Sequence, residues 1–434
     1  MKSLTSEVVA DNKFAKWQQW TKLIAVTFSA QAIIQLLGLV TGILIVRLLP
    51  TTEYAFYTLA NTMLGTMTVL ADGGISSGVM AQGGKVWQDR QKLGTVIASG
   101  LKLRKIFGMF SLLISLPILF YLLIRNGASP IASGLIVLAI IPSFFAALSD
   151  TLLETASKLH QGINKLQKNQ LSAGLGRFVL MVGSLLVFPF TYIAILGNGI
   201  PRMWANIRLR KISAEYADPE QKSDPAVEKE ILAIVKRSLP GAIYFCVSGQ
   251  ITIWLISVFG NTQSIAHVGA LSRLTTVLTV FTTLFSTLVV PRFARLPEKK
   301  NLLVQRFIQI EAALFVISFI IIAIVMLFPA QVLWILGKGY SNLNTEILLL
   351  TISSCLTMLA GVTYSVLVSR GWIIKPVINL SVNILFQLIL VVTMDLSKTT
   401  NVLMFSIVDF LLAFVILIIY FIYRVSKLPK QSIS

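Results

Sequence analysis

Three arginines, Arg177, Arg202 and Arg273, stand inside long apolar runs, and so do five carboxylates, Asp72, Asp150, Glu154, Glu311 and Asp409. A charge at mid-membrane costs about 2.5–3.5 kcal/mol on insertion scales, so such residues face a bundle interior and mark a pathway. Depth separates them. Arg273 lies nine residues past Ser264, about 13 Å along a helix and close to a membrane midplane. Arg177 and Arg202 lie within about 10 Å of the nearer end of their runs, where snorkelling to the headgroups is a competing reading. Asp409 stands about 16 Å past Lys398. Asp72 sits in Leu70-Ala-Asp72-Gly-Gly-Ile-Ser-Ser-Gly. These two either titrate for ion or proton coupling or pair with the arginines, because an unpaired buried carboxylate is costly. Asp150, Glu154 and Glu311 are shallower and are expected to be solvated. His267 is expected to be interfacial.

The elements that must position these residues are membrane helices. Of the 434 residues, 55% are hydrophobic and 13% charged, and the mean hydropathy is +0.80. A soluble domain carries about 25% charged residues. Apolar stretches such as 402–423 reach the roughly 20 residues a bilayer core requires. They are continuous, which excludes the alternation of barrel strands. The fold class is therefore all-α integral membrane. Hydropathy predicts twelve transmembrane helices near 23–46, 54–80, 106–124, 131–154, 170–189, 191–207, 239–259, 265–290, 307–328, 346–368, 376–394 and 400–423. The third is expected to continue an amphipathic helix from near Lys92. With a cytoplasmic N terminus, 30 of the 37 Lys and Arg fall in cytoplasmic segments, and only Arg47, Arg125, Lys338 and Lys398 on the other side. This asymmetry places both termini in the cytoplasm. It also explains most of the net charge of +19 without nucleic acid. The first apolar run reads as an uncleaved span rather than a signal peptide.

The polar stretch 208–237 divides the chain into an N-terminal half, 1–207, and a C-terminal half, 238–424, each with six expected helices; 425–434 is a cytoplasmic tail. A faint repeat at an offset of 211 aligns Glu53-Tyr-Ala-Phe-Tyr-Thr-Leu-Ala60 with Ser264-Ile-Ala-His-Val-Gly-Ala-Leu271. Two halves starting on the same side imply a pseudo-twofold axis along the membrane normal and a central cavity between them. In the sixth run, Gly197, Asn198, Gly199 and Pro201 either break the helix or merely kink it. No catalytic constellation, metal set or phosphate-cradling loop stands out, so no cofactor and no ATP hydrolysis are expected. Cys246 and Cys355 fit neither a metal nor a disulfide pattern.

The segment Leu37-Gly-Leu-Val-Thr-Gly-Ile-Leu-Ile-Val-Arg47-Leu-Leu-Pro-Thr-Thr-Glu53-Tyr54-Ala-Phe-Tyr57 resembles the N-terminal signature of bacterial polysaccharide transporters. Their pattern is a span ending in Ala/Val-Arg-Leu-Leu followed by Gly-Pro-x-Glu-Tyr-Gly-x-Tyr. Leu70-Ala-Asp72-Gly-Gly-Ile-Ser resembles the family's Asp-Leu-Gly stretch. The chain departs at Pro50-Thr-Thr and at Ala55. These are Wzx-type flippases of the multidrug/oligosaccharidyl-lipid/polysaccharide superfamily. The resemblance implies a protein of the bacterial cytoplasmic (inner) membrane that works by alternating access without ATP, with H+ or Na+ coupling. Its substrate would be an undecaprenyl-pyrophosphate-linked oligosaccharide of O-antigen or capsule type. Membrane lipids, a polysaccharide polymerase and chain-length proteins would be its partners. Arginine binds phosphate oxygens bidentately, so Arg273, with Arg177 or Arg202, is expected to attract the pyrophosphate or an acidic sugar. A multidrug exporter of the same superfamily, which would want an acidic cavity, is the main rival. A lipid II flippase and a membrane sugar polymerase are others.

Overall fold

The computed structural model describes residues 32–428 except 161, 286–288, 295, 371, 373 and 375. The side chains of a few helical residues, Cys246 and Arg237 among them, lie outside that description, as does the start of the first expected span. Among the described residues every regular element is helical. The first group is α1 (Ala32–Leu48), α2 (Thr51–Asp72), α3 (Ile75–Val86), α4 (Arg90–Arg125), α5 (Pro130–Leu159), α6 (Ile163–Val187) and α7 (Thr191–Ala214). The second is α8 (Pro225–Phe259), α9 (Thr262–Thr275), α10 (Val277–Leu284), α11 (Val290–Ala294), α12 (Lys300–Leu327), α13 (Pro329–Trp334), α14 (Asn344–Ser369), α15 (Pro376–Thr393) and α16 (Thr399–Ser426).

Six of these, α4, α5, α6, α12, α14 and α16, are long and apolar enough to cross a membrane, and α9 with α10 would make a seventh, bent by 41°. The helix α1, the 248–259 stretch of α8 and α15 are apolar but shorter. Two further expected spans, α2 and α7, are less apolar, and for α2 the packing explains why. The run Tyr54–Ala60 is wholly buried, as are Thr62, Met63, Leu64, Thr66 and Met67. A helix walled by protein needs no lipid-facing stripe. It therefore tolerates Thr58, Thr66 and Thr68, whose hydroxyls donate to carbonyls one turn back.

The second expected span, 54–80, is not one helix. It breaks at Gly73 and Gly74, both in the left-handed region at φ 48° and 98°, where a side chain is strained. The amphipathic start of α4 is as expected: the Asp89 carboxylate caps it through the amides of Gln91 and Lys92. The amide of Lys92 is the main reason this exposed carboxyl is held below the usual carboxylate range. Helix also extends into the stretch expected as a linker. The helix α7 runs to Ala214, and α8 starts at Pro225 behind the Asp224 cap. The connection returns onto α4, with Arg90 Nη2 donating to the Ala214 carbonyl at 2.7 Å and the Asp218 amide to the Arg90 carbonyl at 3.0 Å. Ile231 of α8 lies against Gly78 of α3 so closely that a Cβ there would sit 2.9 Å from its side chain.

The sixth run stays helical throughout 191–214, so it is not a broken helix. Its glycines serve packing instead. A Cβ on Gly199 would meet the Ser143 hydroxyl of α5 at 2.0 Å, and one on Gly197 would meet Met181 of α6 at 3.3 Å.

The 211-residue repeat has a structural counterpart. Thr58 of α2 and Gly269 of α9, equivalent under that offset, touch each other: a Cβ on Gly269 would lie 2.4 Å from the Thr58 hydroxyl. Equivalent positions meet where a twofold axis passes between their helices. Glu53 and Ser264 are likewise equivalent, and each bonds the first residue of the last long helix of its group. Thr191 donates through its amide and hydroxyl to the Glu53 carboxylate at 2.7 Å. The Thr399 hydroxyl donates to Ser264 at 2.6 Å.

Candidate functional site

A cavity of about 430 Å³ lies among α1, α5, α6 and α7, on the side of the basic loops. Its charged and amide lining comes from the last turns of α5 (Asp150, Glu154), from α6 (Asn169 and Gln170 in its first half, Arg177 past its middle) and from Arg202 of α7. The carboxylates are matched. Arg202 Nε donates to Asp150 Oδ2 at 2.8 Å, and Asn206 Nδ2 donates to Oδ1 of the same carboxylate at 2.5 Å. Glu154 accepts from Gln170 at 3.0 Å and pairs with Lys158 at 2.8 Å. Arg202 is therefore paired rather than snorkelling, and Asp150 is engaged rather than merely solvated.

Arg177 is not matched. Among the described residues no carboxylate lies within ion-pair distance of it, and its buried Nε has no hydrogen-bond partner. It is near enough to Arg202 to be repelled and near enough to the Tyr57 hydroxyl to interact with it. Tyr57 also interacts with Arg273, so one tyrosine lies near both arginines.

Arg273, at the end of α9, does not line the cavity. Its Nε donates to the Tyr54 hydroxyl at 3.3 Å, and its guanidinium lies 6.0 Å from the centre of the Tyr57 ring. Its stem fills the space beside Gly42 of α1, where a Cβ would come within 3.1 Å of it. The family-signature residues thus have distinct places. Tyr54 and Tyr57 hold Arg273, Glu53 receives the N terminus of α7, and Arg47 reaches the end of α13.

The two deep carboxylates diverge. Asp72 pairs with Arg104 Nη2 and accepts from the Ser76 hydroxyl at 2.6 Å. Arg104 also donates to the Leu148 carbonyl and the Thr151 hydroxyl, both at 2.6 Å. It is only 2% exposed. This corrects its place among the 30 cytoplasmic basic residues: it stands on the helix expected from near Lys92, but on the face turned into the bundle. Asp409 has no such partner among the described residues. Gln387 donates to its Oδ2 at 2.9 Å, while Oδ1, buried between α8, α15 and α16, has no hydrogen bond. Glu311 is a further correction. It is 6% exposed, not solvated, and Thr363 of α14 donates to it at 2.7 Å. The helix carrying it starts at Lys300, earlier than expected, which sets Glu311 deeper. His267 lies edge-on to Tyr340 at 5.9 Å. Among the described residues no group of three or more His, Cys, Asp and Glu side chains could hold a metal.

The architecture has solved counterparts. An inward-facing multidrug resistance MATE family transporter of the MOP superfamily superposes with a TM-score of 0.70 at 16% identity, over 92% of this chain and 96% of that one. The chain has the fold of a MATE transporter. An outward-facing multidrug resistance MATE transporter gives 0.62 at 16% identity, over 94% and 95%. A MOP superfamily transporter from Pyrococcus furiosus, for which the reverse polarity of the binding pocket suggests a different function, gives 0.56 at 14%, over 94% and 95%. No protein-family model matches the chain, and no curated protein matches it by sequence. Apolar helices and fold together make this a multi-pass membrane protein whose neighbours are transporters solved in both inward and outward conformations.

Proposed function

We propose that this protein is a flippase that moves an undecaprenyl-pyrophosphate-linked oligosaccharide from the cytoplasmic to the outer leaflet of a bacterial inner membrane by alternating access. The observation that carries the reading is the polarity of the interior. Arg177 and Arg273 both lie near Tyr57, and among the described residues no carboxylate is within ion-pair distance of either. The cavity's own acids, Asp150 and Glu154, are already matched. An unmatched guanidinium on a cavity wall attracts an anion, and a diphosphate accepts its paired donors well. The sugar would occupy the space between the halves while the polyprenyl tail stays in the bilayer. Twelve spans and cytoplasmic termini belong to this proposal, with the less apolar α2 and α7 counted as spans because protein surrounds them.

Removing the gene tests it. Loss of surface polysaccharide with lipid-linked repeat units accumulating inside the cell is expected, and an unchanged lipid-linked pool would contradict the proposal.

A second reading, a multidrug antiporter, is favoured by the names of the solved neighbours and by Asp409 and Glu311, which lack cationic partners among the described residues. In the flippase reading those carboxylates, Asp409 first, serve H+ or Na+ coupling instead. Hypersensitivity of the deletion strain to organic cations, with normal polysaccharide, would favour the antiporter.

A further inference from the structure

Arg47 and Arg125, the two arginines on the side opposite the basic loops, both bridge the seam between the halves. Arg47, at the end of α1, donates through Nε to the Ile335 carbonyl at 2.8 Å and through Nη2 to the Trp334 carbonyl at 2.7 Å. Its guanidinium also lies 5.3 Å from the centre of the Trp334 ring. Arg125, at the end of α4, donates to the Val258 carbonyl at 2.5 Å. The acceptors are carbonyls at or just past helix C termini, which lack intrahelical donors and carry the negative end of the helix dipole. A guanidinium fork suits them.

The two contacts are related by the internal repeat. Val258 lies 211 positions after Arg47, and Trp334 and Ile335 fall within two residues of the position equivalent to Arg125. Each contact therefore joins the end of the first span of one half to the end of the third span of the other, or, in the second half, to the short helix α13 that follows that span. The arginine sits on the first span in one contact and on the third in the other. Around them the seam is closed. Thr262 donates to the Asn126 carbonyl at 2.8 Å, and a Cβ on Gly339 would lie 3.9 Å from the Thr51 hydroxyl. Leu49 and Leu336 belong to one apolar core that crosses the seam.

We propose that Arg47 and Arg125 are paired latches that hold the two halves together at this end, and that both release when it opens. The better superposition on the inward-facing neighbour than on the outward-facing one agrees with a closed outer seam. The latches do not depend on which substrate is moved.

Cysteine cross-linking of the full-length protein in native membranes tests them. In a Cys246→Ser, Cys355→Ser background, Thr51→Cys with Gly339→Cys places two thiols across the seam. With both arginines present, oxidation should cross-link them readily. Arg47→Gln or Arg125→Gln alone should slow the reaction at least about threefold, and the double substitution at least about tenfold, the scale of one ordinary hydrogen bond. Arg47→Lys, which keeps the charge but not the fork, should fall between. An unchanged rate in the double variant overturns the proposal. Should the double variant fail to assemble, the single variants decide: unchanged rates in both are equally fatal.

Discussion

Arg177, Arg202, Arg273 and Arg104 are the same side chain in four different situations. Arg202 and Arg104 complete ion pairs, and Arg273 is held by two tyrosines. Only Arg177 combines a place on the cavity wall with no carboxylate in reach among the described residues. Stability and function should therefore separate. Arg104→Ala leaves Asp72 largely unmatched and should lower stability by roughly 3 kcal/mol, and adding Asp72→Ala should recover most of it. Thermal unfolding in detergent reads both. Arg177→Ala should not lower stability, because an unmatched cation contributes none, yet it should weaken binding of a diphosphate lipid at least about tenfold. A clear loss of stability in Arg177→Ala would mean that the residue has a structural partner instead. Composition alone located Arg177 and Asp72. The partner of Asp72 was hidden because Lys102, Arg104 and Lys105 lie close together and counted alike as cytoplasmic charge. Helical rotation points Arg104 inward while Lys102 reaches Glu228 at the surface.

The helices were legible as apolar runs, whereas their breaks and the faces they bury were not. The apolar helices α4, α5, α6, α12, α14 and α16 all fall where hydropathy places them. The largely packed α2 covers the first part of the expected span 54–80, but its end at Gly73 depends on backbone geometry that a hydropathy window averages away. The run Gly197, Asn198, Gly199 and Pro201 left a broken and a kinked helix open, and the continuous α7 excludes the broken one. Glycine is helix-poor on its own, but between α5 and α7 it allows a close approach that no larger residue permits. Gly199→Ala should accordingly cost about 1–3 kcal/mol by overpacking, with Ser143→Gly restoring part of it. Gly269→Ala should do the same against Thr58, and Thr58→Gly should relieve it. If these pairs fail to rescue one another in unfolding measurements, the close contacts are not what stabilises the two crossings.

Over the whole molecule, charge is divided between the two groups of helices. The cavity with its spare arginine belongs to the first. The carboxylates without cationic partners among the described residues, Asp409 and Glu311, belong to the second. In the proposed flippase reading, the first group would hold the anionic cargo and the second the coupling cation. Asp409→Asn should remove the dependence of transport on an ion gradient while leaving cargo binding intact, and unchanged gradient dependence would take Asp409 out of the coupling step. The most direct measurement is native mass spectrometry of the purified protein with an undecaprenyl-pyrophosphate-linked oligosaccharide, alongside phosphatidylglycerol and an organic cation such as ethidium. The expected result is selective retention of the diphosphate lipid, lost in the Arg177→Ala, Arg273→Ala double variant while the protein stays folded. Retention of ethidium in preference to the diphosphate lipid, unaffected by those substitutions, would contradict it.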